Sequence, residues 1–294
     1  MVVGPLLGVA VASDFYEGEF IKDLQNLSLK PNAFDAILIL QGIGTLVSLI
    51  ILPIIYITLL EHKSLRPFFP VQTNLPTIIL VVALLGIVFP IALSPIMVWN
   101  MNVKFPEFLR WFEEWAIEKE ELGAKLTEQM TNFSSLNQML AGIFVIGLLP
   151  AIGEELVFRG LIQREIWRAS LKIHLAIWLS AGIFSTIHFQ FFGFIPRLLL
   201  GALFGYLYYW SGNLLIPIFS HFVNNAFIVV MVYLNQIEVT TIDIEGGEAP
   251  PLTFVIASVI LSAGLLYYLW NHYTKVDPPA ERPHNSFPDN GPLA

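Results

Sequence analysis

Seven long apolar runs, broken by short polar stretches, set the pattern of the chain: Ala36–Leu60, Leu75–Trp99, Leu136–Gly153, Ile173–Phe192, Ile195–Trp210, Leu214–Leu234 and Leu252–Trp270. At ~1.5 Å per helical residue, ~20 apolar residues cross the hydrocarbon core of a bilayer. Each run therefore predicts a membrane-spanning helix. Aromatic residues gather at several run ends, as membrane interfaces favour: Trp99, then Tyr208–Trp210, then Tyr267, Tyr268 and Trp270. Pro53, Pro90 and Pro95 fall inside runs, where neighbouring helices satisfy the freed carbonyls. Met1–Ser13 is apolar but short and lacks the basic start of a secretory signal. It reads either as an interfacial foot or as the remnant of another helix. Met101–Ser134 is charged, with Phe105, Phe108, Leu109, Phe112, Trp115 and Ala116 at helical spacing. This predicts an amphipathic helix on the membrane surface or capping the bundle, either a lid over a substrate site or a solvated connector. The expected fold is all-α: a polytopic transmembrane helical bundle of about seven spans, or eight with the N-terminal stretch. It divides into an N-terminal interfacial segment (1–35), two spans with the amphipathic connector (36–134), three chemistry-bearing motifs on apolar helices (135–235), and a loop, last span and tail (236–294).

Composition sharpens this picture. Of 294 residues, 55% are hydrophobic and 13% charged, against about 25% charged in a soluble domain. A soluble enzyme or a disordered chain fits poorly, and mean hydropathy of +0.68 agrees. The net charge of −8 argues against a nucleic-acid partner. With no cysteine, disulfides, thiolate metal sites, cysteine nucleophiles and prenylation of the chain's own C-terminus are all excluded. Seven spans place the termini on opposite sides. Lys63 and Arg66, then Arg164, Arg168 and Lys172, then Lys275 and Arg282 fall on one side, while the loop Gln236–Pro251 on the other carries Glu238, Asp243, Glu245 and Glu248 and no base. The Lys104–Lys125 connector departs from this pattern, but its acids outnumber its bases. The rule that cytoplasmic loops are basic then predicts a plasma-membrane protein with a cytoplasmic C-terminus. The tail from Asp277, rich in Pro, Asn and Asp, has the composition of a disordered segment.

Ionisable side chains at membrane depth are costly and so point to function. The densest set lies in GEELVFRG. Glu155 and Arg159 are one helical turn apart in the favourable order, whereas Glu154 points ~140° away from Arg159. The arginine can neutralise Glu155 and leave Glu154 free to handle a proton; a structural salt bridge with one spare acid is the plainer alternative. FSTIH places Phe184 one turn from His188, and HFVNN places His221 one turn from Asn225 with Asn224 beside it. Taken singly, each of these fits a hydrogen-bonded core residue. Geometry joins them. An antiparallel hairpin turning at Arg168–Lys172 sets Glu154 and His188 level, ~25 Å from the turn, while His221 lies ~13 Å past the Ser211–Asn213 turn. The depths agree if the hairpin extends about two turns into the cytoplasm, with Gln163, Arg164, Glu165 and Arg168 in water. Glu154, His188, His221 and Asn225 then converge in a cavity open to the cytoplasm, beside a Phe191–Pro196 bend lying partly within the membrane. Arg197 next to that bend either lines the cavity or snorkels. Such a set suits hydrolysis. Glu154 would take a proton from water. Either imidazoles hold Zn²⁺ and its bound water, or Glu154 and His188 act without metal while His221 and Asn225 stabilise an oxyanion. The soluble zincin pattern HExxH is absent. The GxxxG at Gly201–Gly205 predicts close helix packing within the bundle.

EELVFR, FSTIH and HFVNN, in that order on separate apolar helices, match EExxxR, FxxxH and HxxxN. Over about Leu136–Val232 the chain resembles the CPBP family, the CAAX proteases and bacteriocin-processing enzymes also called the Abi family. The resemblance implies an intramembrane endopeptidase of glutamate or metalloprotease type. It implies catalytic Glu154 and His188 supported by Glu155 and Arg159, and His221 and Asn225 binding water or oxyanion. A metal-dependent version would draw its ligands from Glu154, His188, His221 and Asn225, with Zn²⁺ the candidate cofactor. The partners it implies are the lipid bilayer and a membrane peptide or protein substrate, prenylated CAAX tails among them. Two other readings share the composition: a proton- or ion-coupled transporter using the Glu/His chain as a relay, and a non-catalytic membrane adaptor or immunity protein.

Overall fold

The computed structural model describes residues 3–25, 30, 33–71, 75–240 and 250–275. Asp243, Glu245, Glu248 and the tail from Asp277, including Arg282, lie outside them. All regular structure among the described residues is helical. The helices are α1 (Val3–Ala12), α2 (Phe20–Gln25), α3 (Phe34–Leu60), α4 (Leu75–Met101), α5 (Arg110–Thr131), α6 (Leu136–Ser170), α7 (Ile173–Thr186), α8 (Phe194–Ser211), α9 (Leu215–Gln236) and α10 (Leu252–Lys275).

Six of these, counting the short 3₁₀ lead at Phe191–Gly193 with α8, are long and apolar enough to cross a membrane. The seventh expected span is shorter. α7 has 14 residues, ~21 Å of helix. It ends at Thr186 because Phe189 takes a left-handed backbone at φ 54°, which starts the bend the sequence places at Phe191–Pro196. α1, with ten residues, is also too short to span and packs along α3. Many large apolar side chains, among them Phe254, Ile256, Val259 and Ile260 of α10, are exposed. In water such a face is a liability, whereas against lipid it costs nothing.

One packed cluster is built on α4. Ile78, Val82 and Leu85 pack against Leu203, Phe204 and Leu207 of α8, Ile216 of α9, and Leu269 and Tyr273 of α10. α7 lies antiparallel to the end of α6, turning at Leu171–Lys172 as the basic tip predicts. Ser180 Oγ of α7 donates to Phe158 O of α6 at 2.9 Å. The hairpin base is not in water, contrary to expectation for Gln163 and Arg164, which are fully buried. Gln163 Nε2 donates to Gly205 O (3.2 Å), and Arg164 Nη2 to Glu61 Oε2 (3.0 Å) beneath the Phe68 ring. Side chains that read as a solvated tip from charge alone are thus paired inside the protein. Burial pushes the Glu61 carboxyl up, but Lys63 and Arg164 outweigh it and hold the group below its ordinary range.

The GxxxG of α8 packs within the bundle. A Cβ on Gly205 would stand 2.8 Å from Gln163 Oε1 and 2.9 Å from Ile177 Cγ2, and one on Gly201 would stand 3.1 Å from Ala181 Cβ. Small residues let the backbones approach. Gly205→Ala is expected to cost about 1–3 kcal/mol by overpacking, read as a shift of the unfolding midpoint in mixed micelles; an unchanged midpoint would refute this packing role.

Candidate active site

The site forms where α6, α7, α8 and α9 meet. α6 is wound more widely than an ordinary helix over Leu156–Gln163, just after the two glutamates; such stretches recur at functional sites. Glu155 and Arg159 still meet as their spacing predicts. Their side chains are 0% and 1% exposed, and Arg159 Nη1 stands 3.0 Å from Glu155 Oε1. Arg159 Nη2 donates to Gly201 O at 2.7 Å. The guanidinium carbon lies 5.1 Å from the Phe184 ring centre and 5.6 Å from that of Phe204, so two aromatic faces hold it.

His221 of α9 joins this pair. Its Nδ1 is 2.8 Å from Glu155 Oε1, and its ring stacks on Phe204 at 4.7 Å and meets Phe184 edge-on at 6.2 Å. Because a carboxylate only accepts, Nδ1 carries the hydrogen; in the neutral ring Nε2 then presents a lone pair. That Nε2 faces Glu154 Oε2 across 3.8 Å. Glu154 is 15% exposed at the side chain while Glu155 is fully enclosed. The two neighbouring carboxylates therefore differ in the way the sequence predicts: Arg159 pairs with one, and the other is left accessible.

His188 also packs on Phe184, its ring 5.0 Å from the phenyl. Its Nδ1 is 2.8 Å from Phe184 O; a carbonyl also only accepts, so Nε2 is again the free nitrogen. Asn225 accepts from Asn224 at 3.0 Å, and its Nδ2 is 3.5 Å from Ile146 O. Among the described residues neither His188 nor Asn225 makes a hydrogen bond or ion pair to Glu154. The structure thus brings Glu154, Glu155, Arg159 and His221 together, and His188 packs on the same Phe184 ring that His221 meets. Phe204 of the aromatic box is not legible in the sequence, where it is one apolar residue in an apolar run.

The same donors decide how a metal would fit. Among the described residues no three His, Cys, Asp or Glu side chains are arranged to hold one ion, whereas zinc sites draw on three or four protein ligands. Glu154 and His221 offer two facing atoms and the arrangement does not fit zinc as it stands.

Beyond the four helices, the chain closes over the bend after His188. Arg197 lines this side of the site: Nη2 donates to Gln190 Oε1 (3.1 Å) and Nη1 is 3.4 Å from Gln190 O. Gln190 Nε2 donates in turn to Glu120 Oε1 of α5 at 3.3 Å. Burial pushes the Glu120 carboxyl up, with nearby Arg197 pulling the other way. Phe105, Phe112 and Phe191 form a three-ring cluster with centres 5.1–5.3 Å apart. The amphipathic helix is docked against the bend beside His188, with Phe108 and Trp111 turned outward.

Residues 136–227 match the model of the Rce1-like family, described as type II CAAX prenyl endopeptidase. YpbD of Bacillus subtilis (strain 168), an uncharacterized protein, is 33% identical over 88 residues, 29% of this chain and 42% of its own. The membrane-embedded CAAX protease MroQ of Staphylococcus aureus (strain USA300) is 32% identical over 99 residues, 32% of this chain and 40% of its own. The chain spans about two fifths of the length of these curated relatives. No solved structure gives a significant match. Glu154, Glu155, Arg159, Phe184, His188, Phe204, His221 and Asn225 all fall inside the matched stretch; α4 and α5 fall outside it.

Proposed function

We propose that the protein, whose residues 136–227 match the Rce1-like family model, is an intramembrane endopeptidase in which Glu154 activates water against a peptide carbonyl. The observation that carries this reading is the 3.8 Å gap between Glu154 Oε2 and His221 Nε2. Both atoms are acceptors. One water ~2.8 Å from each donates a hydrogen to both and aims its lone pair away from them. That lone pair attacks the carbonyl carbon as Glu154 takes the proton. The negative charge moves to the carbonyl oxygen, toward which loosely held Asn225 Nδ2 can turn. Glu154 then returns the proton to the amide nitrogen, the C–N bond breaks, and acid and amine leave. Glu155 accepts from His221 Nδ1 and so fixes which nitrogen faces the water. Arg159 pairs with Glu155 at 3.0 Å where both side chains are enclosed by the protein. His188, packed on Phe184, offers its free Nε2 as a second acceptor for the substrate backbone or for a proton.

The substrate class that fits is a membrane-associated or CAAX-like peptide, reached from the bilayer in a multi-pass protein of the plasma membrane with a cytoplasmic C-terminus. The test is to reconstitute the protein in liposomes with two peptides, one ending in a prenylated CAAX sequence and one unmodified membrane peptide. Products are read by mass spectrometry beside Glu154→Gln. Cleavage of either peptide by the wild type and of neither by the variant supports the reading; solute uptake dependent on Glu154, without cleavage, would replace it with a transporter.

Because only two facing ligands are present among the described residues, cleavage is expected to survive exhaustive chelation. Loss of activity restored by Zn²⁺ alone would place a metal in the gap and make His188 or Asn225 a ligand.

A further inference from the structure

The bend that carries His188 poses a problem of its own. Between Thr186 and Phe194 the backbone leaves the helix, and at membrane depth every freed N–H and C=O needs a partner within the protein. Helix α8 also starts without a local cap: the residue before it is Gly193, and no side chain there accepts a hydrogen bond. Helix starts leave unpartnered N–H groups that a side-chain oxygen normally takes. Here the oxygen comes from another helix. Asn100, in the last turn of α4, accepts from Ile195 N through Oδ1 at 2.9 Å. Its Nδ2 donates to Phe191 O at 3.3 Å. One carboxamide thus bridges both ends of the short turn between His188 and α8, from 95 residues away, and it is 1% exposed. Ser185 Oγ adds a bond to Phe194 O at 2.7 Å, but Ser185 belongs to α7 and moves with it. Asn100 ties the bend to α4.

We propose that Asn100 is a positioning residue for His188. It lies outside the matched stretch 136–227 and touches none of the groups assigned to the chemistry. It acts by fixing the turn three residues after His188, and so the placement of that imidazole against the Glu154–His221 pair. This rests on the protease reading given above. A polar side chain at this position has no other partner to serve: both halves of the amide are used, each on a backbone group of the bend.

Two variants test it. Asn100→Leu removes both bonds; Asn100→Asp is isosteric and retains the acceptor for Ile195 N–H. Each is assayed for cleavage in liposomes and for hydrogen–deuterium exchange of the peptide spanning 187–196. Misplacement by ~1 Å costs on the order of 100-fold in rate. Asn100→Leu is therefore expected to lower kcat by about 10–100-fold with KM within about twofold, and Asn100→Asp to recover part of it. Exchange should rise over 187–196 and stay unchanged in α6 and α9. If Asn100→Leu fails to fold, Asn100→Asp carries the test, with a smaller fall in kcat and the same local rise in exchange. Wild-type kcat and unchanged exchange in the folded variants would overturn the proposal, as would a rise in exchange spread evenly over the bundle. If the wild type cleaves nothing while the bend opens selectively in the variant, the protease reading fails and the anchoring of the bend by Asn100 stands.

Discussion

Glu154→Gln is expected to lower kcat by about 10³–10⁴-fold, the upper range for a lost general base, with little change in KM. Gln keeps the volume and one acceptor oxygen but cannot take a proton near neutral pH. The interaction lost belongs to the transition state, so kcat and kcat/KM should fall together. Stability should hold, because Glu154 is partly accessible and His221 Nε2 stands 3.8 Å from its carboxylate, beyond a hydrogen bond. A melting midpoint equal to wild type beside a dead enzyme is the expected pair of results. Undiminished cleavage would remove Glu154 from the chemistry and shift attention to His188.

The contrast between the two adjacent glutamates was legible before any coordinates, because helical spacing alone pairs Glu155 with Arg159 and turns Glu154 away. Span positions were legible for a similar reason: ~20-residue apolar runs have few other uses. What failed is instructive. α7 reads as a span from Ile173 to Phe192 because Phe191 and Phe192 are as apolar as the helix before them; hydropathy does not register a left-handed residue such as Phe189. Arg164 and Gln163 read as a wet tip because charge usually means water, but Glu61, 103 residues away, waits for Arg164 inside the protein. Nor does any local signal give Asn100 or Phe204. Their roles depend on which helices meet, and each is a single residue in an otherwise apolar stretch. The connector falls between these cases. Its amphipathic period was plain, while its docking through Gln190 and Phe191 depends on a bend that the pattern leaves undefined.

The largest stability effect is expected from Arg159→Leu. Removing one partner of a buried pair leaves the other charge without compensation, at a cost of about 3–5 kcal/mol. Here the abandoned group is Glu155, at 0% exposure. The guanidinium also holds Gly201 O and fills the space between Phe184 and Phe204. Arg159→Lys should restore only part, since a point charge on a flexible stem cannot reach Glu155 and Gly201 O while lying flat between two rings. The double variant Glu155→Gln with Arg159→Leu separates stability from chemistry. With no uncompensated charge left inside, it should regain much of the unfolding free energy lost by Arg159→Leu alone. Activity should stay low, because a neutral amide at position 155 offers His221 Nδ1 either a donor or an acceptor and no longer dictates which nitrogen faces Glu154. Equilibrium unfolding in mixed micelles and cleavage in liposomes read the two effects independently. A double variant as unstable as Arg159→Leu would mean that the arginine acts mainly through packing. One that cleaves like wild type would mean that Glu155 does not orient His221.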